Sequence, residues 1–291
     1  MTVWTLAWRN IQVYVRNRMS VFFSFLSVLI IIGLYALFLG KVQSDGLRSA
    51  AGSTPGVRTL VDSWIIAGLL AVNAVTVSLG SLGTMVSDVE YKRFDDFVVA
   101  PVPRSRIVVS YLIAACVIGF FFNLVAMAAG ELYIVSGGGQ FLGPRQALEA
   151  VGMLALAVAS SASIMYLFAS FLRSVSAFGI LSTLLGTLIG FLTGVYVPVG
   201  VLPDAVQKVV TLVPFSHSAA LLRQVFCEKP LAEVFAGVPP AAQARYLRMY
   251  GIHLYWGDFE VTVPLMIAVL AGVTVVFLAA SALKLRGRRR S

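Results

Sequence analysis

Long uncharged stretches constrain this chain more than any other feature of its sequence. Residues 63–86 and 107–130 are predominantly apolar, and neither contains Asp, Glu, Lys or Arg. A helix needs about 20 apolar residues to cross the roughly 30 Å hydrocarbon core of a bilayer, and both stretches satisfy that length. Over the whole chain 59% of residues are hydrophobic and 12% are charged, whereas soluble domains carry about 25% charged residues. The sequence therefore indicates a protein that crosses the membrane several times.

The same criterion predicts an all-α membrane protein with six transmembrane helices. An additional N-terminal helix is predicted over residues 1–18, where Trp4, Trp8, Ile11 and Val15 recur at helical spacing opposite polar side chains. That pattern is typical of an amphipathic helix lying in the membrane interface. Residues 1–291 are interpreted as one transmembrane domain, with predicted spans at residues 19–39, 63–86, 107–130, 150–172, 174–201 and 261–283.

Two segments near the end of the chain are apolar in parts but too short or too broken to be spans. Within residues 202–228, Pro203 and Pro214 separate two apolar stretches of about ten residues, a length that is typical of re-entrant or interfacial segments. Non-helical backbone between them must be buried in protein or line a cavity. We predict a re-entrant helical hairpin here, followed by an external loop at residues 229–260.

The distribution of Lys and Arg predicts the orientation of the chain. The net charge of +9 arises largely at the ends of the predicted spans, for example around Arg104 and Lys284. Cytoplasmic loops carry an excess of basic residues, so the charge is a topology signal and does not indicate a nucleic-acid partner. We predict a multi-pass protein of the cell membrane, in contact with membrane lipid, with both termini in the cytoplasm.

The stretch 87–106 is rich in charge and lies between two predicted spans. Its first part lacks Pro and Gly and is predicted to form a short helix, which Pro101 and Pro103 end. Helical spacing places Phe94 and Phe97 on one side of it. A short helix with exposed aromatic and charged side chains at a membrane surface is typical of a docking surface for a soluble partner.

Two motifs resemble one family of membrane proteins. Glu90, followed by Ala100-Pro101-Val102-Pro103-Arg104 immediately before the next span, is similar to the coupling loop of type-2 permeases of ATP-binding-cassette exporters. Pro214-Phe215-Ser216-His217 and Arg223 resemble the proline-containing turn and Arg that follow the fifth span in that family. The Gly-Thr-Leu-Glu common in the family is absent, and Arg93-Phe94-Asp95-Asp96 stands between the two coupling motifs.

The resemblance implies a transport subunit that is not itself an enzyme. A separate ATP-binding-cassette ATPase subunit would hold ATP and Mg²⁺, and this chain, which lacks Gly-x-x-x-x-Gly-Lys-Ser/Thr, would bind no cofactor. A second permease copy or a homologue would complete the complex, with efflux of a drug, antibiotic or lipid-like substrate. The residues expected to couple to the ATPase are Glu90, Lys92, Arg93, Phe94, Asp95, Asp96, Phe97, Pro101 and Arg104. Those assigned to the re-entrant hairpin are Pro198, Pro203, Pro214, His217 and Arg223.

A polar stripe on two spans is the candidate translocation path. The resemblance favours this interpretation, because in the family the second and fifth spans line the dimer interface. Ordinary helix–helix packing explains the same residues equally well, since polar and small side chains in a membrane face partner helices. The stripe consists of Asn73, Thr76 and Ser78 on the second span and Thr183, Thr187, Thr193 and Gly194 on the fifth.

No catalytic or metal-binding residues are predicted. His217 and His253 have no partner at ligand spacing, and no ionised residue lies in the centre of a predicted span, where proton- or sodium-coupled carriers keep such groups. The alternative function is a membrane-embedded enzyme or an assembly protein that uses the external loop at residues 229–260. It predicts buried acid–base pairs or metal ligands, and the sequence indicates none.

Overall fold

The structure is a computed structural model that describes residues 2–22, 25, 26, 33, 56–93 and 103–287, with positions 104 and 285–287 described as backbone only. Most of the predicted first span at 19–39 lies outside these residues. The helices are α1 (Val3–Arg16), α2 (Val57–Glu90), α3 (Arg104–Ser136), α4 (Pro144–Ala169), α5 (Val175–Leu192), α6 (Asp204–Leu212), α7 (Pro214–Val234), α8 (Pro240–Met249) and α9 (Val263–Gly287), with a 3-10 turn at Val199–Val201 and strands β1 (Leu254–Trp256) and β2 (Phe259–Val261).

Five of the described helices, α2, α3, α4, α5 and α9, are long and apolar enough to cross a membrane. The pair α6 and α7 also meets the criterion, but only when both are taken together across a bend of 84°. The prediction of an all-α membrane protein is confirmed.

Helix α2 lies at the centre of the fold, and most of its residues are buried against α3, α4, α5 and α7. It has 34 residues, a length of about 51 Å, and so extends past both ends of the predicted span at 63–86. The extension is stable because the acidic residues just outside that span have partners. Asp62 lies 3.5 Å from Arg58 and accepts a hydrogen bond from Tyr133, while Asp88 is bound by Arg9.

The predicted fifth span is longer than the helix that forms there. Helix α5 covers Val175–Leu192, whereas residues 174–201 were predicted. The helix ends because Gly194 adopts a left-handed conformation with φ +67, and the Val195 amide donates to the Gly190 carbonyl at 2.8 Å. This is a common way for a helix to terminate, and the chain then turns toward α6.

Proline sets the bend between α6 and α7. Pro214 occupies the first turn of α7, and Val213 before it is extended with φ −77 and ψ 132. A residue before proline avoids the helical conformation, so the two helices cannot merge into one. The bent pair lies where a re-entrant hairpin was predicted, and α7 is buried against α2 and α4.

The segment predicted as an external loop at residues 229–260 is largely ordered structure. Helix α7 continues to Val234, α8 follows, and β1 pairs with β2 in an antiparallel hairpin. The segment is fixed to α2, because Trp64 donates its indole N–H to the Tyr250 carbonyl at 2.7 Å. The pattern of the segment itself does not indicate this contact, because Trp64 is distant from it in sequence.

Candidate functional site

The Glu90 end of α2 holds a buried carboxylate that joins three helices. Asp88 is 1% exposed, and it accepts hydrogen bonds from both terminal nitrogens of the Arg9 guanidinium, one of them at 3.1 Å. It also accepts one from the Tyr111 hydroxyl at 2.6 Å. The hydrogen bond to Asp88 raises the pKa of Arg9. Helix α1 is thereby attached to α2 and α3 by a charge-assisted network.

A second polar contact and an apolar face complete the attachment of α1. Asn10 donates its side-chain amide to the Ser110 hydroxyl at 3.3 Å, beside the buried Leu6 and Tyr14. The predicted helix is present, and Trp4 and Trp8 are exposed on it. The indoles are therefore free of the protein core, as an interfacial position for this helix requires.

Glu90 connects the end of α2 to the start of α5. Its Oε2 accepts a hydrogen bond from the Val175 amide at 3.0 Å, while the Ser174 hydroxyl caps the same helix by accepting from Ala177 at 3.2 Å. A carboxylate at a helix N-terminus satisfies an otherwise unpaired amide and opposes the helix dipole. The sequence placed Glu90 in the coupling set, but only the fold brings it to α5.

Only some of the other predicted coupling residues are among those that the structure describes. Lys92 ends α2 in a left-handed conformation with φ 56, and Arg93 lies 3.9 Å from Asp88 and over the ring of Tyr91. Because Asp88–Glu90 belong to α2, the predicted short helix does not begin at Asp88. Arg104 starts α3. Outside the described residues lie Phe94, Asp95, Asp96, Phe97 and Pro101.

The candidate path residues occupy two different environments in a single copy of the chain. On α2, Asn73 and Ser78 are buried and Thr76 is half-buried, with its hydroxyl donating to the Val72 carbonyl. On α5, Thr183 and Thr187 are exposed, each bonded to a carbonyl of its own helix. Thr193 and Gly194 are buried at the end of α5. One copy therefore presents Thr183 and Thr187 at its surface and keeps Thr193, Gly194 and most of the α2 half inside.

A fully buried arginine packs against the Val57 end of α2. Arg223 on α7 is 1% exposed, and its guanidinium donates to the Gly194 carbonyl at 3.1 Å and the Gly251 carbonyl at 3.4 Å. The guanidinium carbon lies 4.5 Å from the centre of the Trp64 ring. Arg223 therefore joins α2, the end of α5 and the turn that follows α8.

The remaining residues assigned to the hairpin lie at the starts of the 3-10 turn, α6 and α7. Pro198 and Pro203 precede the 3-10 turn and α6, and Pro214 starts α7. His217 is buried, with Nδ1 3.1 Å from the Val213 carbonyl oxygen. The sequence singled out Arg223 but not its Trp64 and glycine partners, which lie far away along the chain.

Sequence reasoning missed the contacts of Asp88 and the buried Glu131. Both acids lie just outside predicted spans, where a charged residue is expected to meet water. The available signal was their position: each directly adjoins a long apolar stretch, so a modest helical extension buries it.

The fold and this site define a general class. It is a helical membrane protein in which the N-terminal helix α1 is attached by polar contacts to two spanning helices, α2 and α3. The family model described as ABC-2 type transporter matches residues 1–227. The chain belongs to this family and is the transmembrane subunit of an ABC transporter, which works with an ABC ATPase subunit. The match extends into α7 and includes the α6–α7 bend. No curated protein matches the chain.

Proposed function

We propose that the chain is the transmembrane half of an ATP-driven exporter for a hydrophobic or amphipathic substrate, such as a drug, an antibiotic or a lipid-like molecule. Both termini would lie in the cytoplasm of a cell-membrane protein, and Mg²⁺ and ATP would bind the ATPase subunit. Membership of the ABC-2 family supports the transport role. The apolar surfaces of the spanning helices support an apolar substrate.

The contact between Glu90 and Val175 is the observation that carries the proposed coupling mechanism. The ATPase would dock on the segment after α2, which includes Phe94 and Phe97. A displacement of this segment would move Glu90, and the hydrogen bond at 3.0 Å would transmit the movement to the start of α5. The Arg9–Asp88 pair would make α1 move with the same unit.

Helix α5 is the surface best suited to contact a second copy of the chain or a homologue. Gly179, Thr183 and Thr187 recur at four-residue intervals, and an added Cβ at Gly179 would meet no atom within 4 Å. Small residues at this spacing let transmembrane helices approach closely. Two α5 helices would then line a path between the copies, with Thr183 and Thr187 facing it.

Transport would follow from a shift between two conformations of this assembly. ATP can favour one of them only if the ATPase subunits bind the permease differently in each. In the proposed cycle the two docking segments approach each other when ATP binds, and the α5 helices separate at the Arg223 end.

The experiment that tests coupling uses Glu90→Ala in the complex of the chain with its ATPase subunit. A fluorophore attached through Thr183→Cys, in a background lacking Cys116, reports movement of α5 when Mg²⁺ and ATP are added. We expect Glu90→Ala to reduce the ATP-dependent response about tenfold, the scale of a typical coupling free energy. Hydrolysis of ATP by the complex should persist.

Glu149→Ala is the matched control, because Glu149 is an exposed helical glutamate whose ion-pair partner in the described part of the chain is Arg145. It should leave the fluorescence response unchanged. Replacing both Phe94 and Phe97 by Ala should instead weaken binding of the ATPase subunit in a pull-down. A normal response of α5 in the Glu90→Ala complex would contradict the proposed mechanism.

A further inference from the structure

A cavity of about 190 Å³ lies at the Val57 end of α2. It is enclosed by the first turns of α2, the end of α3, the α3–α4 connection and the end of α7. Its lining combines buried polar groups with apolar side chains, including Ser63, Glu131, Ile134 and Phe226. Ser63, Glu131 and Ile134 belong to neither the predicted coupling set, path nor hairpin, whereas Phe226 lies within the predicted hairpin segment at 202–228.

Glu131 gives the cavity a largely buried carboxylate. The residue is 8% exposed, and its Oε2 accepts a hydrogen bond from the Leu142 amide at 2.9 Å. In the described part of the chain the Leu142 amide is the hydrogen-bond donor to this carboxylate, and the positive charge of Lys229 acts on it without forming an ion pair. A carboxylate removed from water gains stability from a cation or a further donor.

Ser63 supplies a second polar group, from the part of the lining that belongs to α2. It is 3% exposed, and its hydroxyl has no hydrogen-bond partner in the described part of the chain. Serines in helices commonly bond a carbonyl of the preceding turn, as Ser81 does with Ser78. The Ser63 hydroxyl therefore remains available to a molecule in the cavity.

The charges around the cavity favour a monovalent cation. Three charged residues, Glu131, Lys229 and Glu233, line the cavity, so its lining carries a net charge of −1. Lys229 and Glu233 are exposed, and the positive charge of Lys229 acts on Glu131. An ammonium group has donors for both the carboxylate and the hydroxyl, and it interacts with a carboxylate through charge-assisted hydrogen bonds.

We infer that this cavity binds a small organic ammonium ion, with its N–H groups donating to Glu131 and Ser63 and its apolar body lying against Ile134 and Phe226. The volume suits a molecule of that size, since a cavity of about 150 Å³ holds benzene. Binding here requires neither ATP nor a particular direction of transport.

The test measures binding of phenethylammonium chloride to the full chain in lipid nanodiscs by isothermal titration calorimetry. We expect saturable binding that Glu131→Gln weakens about tenfold or more, because a hydrogen bond to a charged group is lost. The neutral analogue 2-phenylethanol should bind the wild-type chain no more tightly than phenethylammonium binds the Glu131→Gln chain. Glu149→Gln, which changes a glutamate outside the cavity, should leave the dissociation constant unchanged.

Lys229→Gln provides a prediction of the opposite sign at an exposed site where folding is not at risk. Removing this cation should tighten binding of the ammonium ion severalfold, and low salt should enlarge the effect. Ser63→Ala should weaken binding and serves in place of Glu131→Gln if that variant does not fold. Absence of saturable wild-type binding, or equal affinities for the wild-type, Lys229→Gln and Ser63→Ala chains, would overturn the assignment.

Discussion

Asp88 is a single side chain on which the position of an entire helix depends. Its carboxylate is buried, and the groups that compensate its charge come from α1 and α3. Nothing in the sequence near Asp88 indicates these partners, because Arg9 is 79 positions away. Replacing one oxygen of the Asp88 carboxylate should therefore weaken the attachment of α1.

Asp88→Asn should lower the free energy of unfolding by about 2 kcal/mol, because Arg9 and Tyr111 lose a charged acceptor. The loss of stability is modest because the Arg9 side chain is 32% exposed and water partly screens its charge. Thermal unfolding in nanodiscs measures it, and trypsin should cut α1 faster. Glu228→Gln, which alters an exposed pair with Arg145 at 2.7 Å, should change stability by less than about 1 kcal/mol. If Arg9→Gln and Asp88→Asn proved fully additive, the two side chains would not be energetically coupled.

Arg223 and Arg248 permit a comparison of the same interactions with and without burial. Each guanidinium donates to a glycine carbonyl and lies over an aromatic ring, but Arg223 is buried whereas Arg248 is exposed. Arg223→Lys should lower the free energy of unfolding by about 2–3 kcal/mol, because an ammonium cannot span both carbonyls and stack on Trp64. Arg248→Lys should cost less than about 1 kcal/mol. Equal shifts in their thermal midpoints would show that the buried contacts add nothing.

At the scale of elements, the length of α5 depends on one glycine. Gly194 turns the chain with φ +67, and its carbonyl receives the Arg223 guanidinium. The turn directs the chain into the 3-10 segment and α6. A longer α5 would displace Arg223 from its acceptor and change the start of the bent pair.

Gly194→Ala should therefore destabilise the chain by about 1–2 kcal/mol, since a left-handed conformation is unfavourable for a residue with a Cβ. The added atom would also approach a Val199 methyl carbon to 2.7 Å. Gly152→Ala in α4, where a Cβ meets nothing within 4 Å, should instead stabilise by about 0.5–1 kcal/mol. Thermal unfolding of both variants tests the opposite signs, and a shift in the same direction would refute this account of the turn.

At the scale of the whole molecule, two of the described spanning helices are far less buried in one copy than the others. They are α5 and α9, each with 11% of its most apolar window buried. Both helices expose bulky apolar side chains, such as Leu184 and Leu188 on α5 and Val275 and Val276 on α9. Only on α5 do exposed threonines, Thr183 and Thr187, follow a glycine at four-residue intervals. Bulky apolar side chains suit lipid, and small residues suit a neighbouring helix.

Oxidative cross-linking should distinguish these two surfaces. In a Cys116→Ser background, Thr187→Cys on α5 should form disulfide-linked dimers in membranes, because paired α5 helices bring the two sulfurs close. Val275→Cys on α9 should remain monomeric under the same oxidant. Cys227 is fully buried and is retained in both variants. Cross-linking through Val275 but not through Thr187 would place the interface on α9.

The predicted spans show what local composition determines well. Helices α2, α3, α4 and α9 contain most of the stretches that were predicted from apolar length alone, because the bilayer imposes the same requirement on every span. Their ends were less predictable. Asp62, Asp88 and Glu131 lie where helices continue past the apolar stretches, and each has a partner outside its own helix.

The family motifs could also be recognised in the sequence, because Glu90 and Pro101-Val102-Pro103-Arg104 lie in a short segment between two predicted spans. The coupling residues Phe94 to Pro101 and most of the first span stay predictions, as they lie outside the described residues. The external segment at 229–260 was predicted as a loop because its anchors, such as Trp64, are not adjacent in sequence.

By itself, the sequence determined that this is a helical membrane protein, roughly where the apolar helices lie and which family it resembles. These properties follow from composition and spacing within single segments. Only the tertiary structure decided that Glu90 meets the start of α5, that Asp88 attaches α1, and that Glu131 and Ser63 face one cavity. The physical reason is that burial and pairing of polar groups depend on helices brought together by packing, which no local pattern specifies.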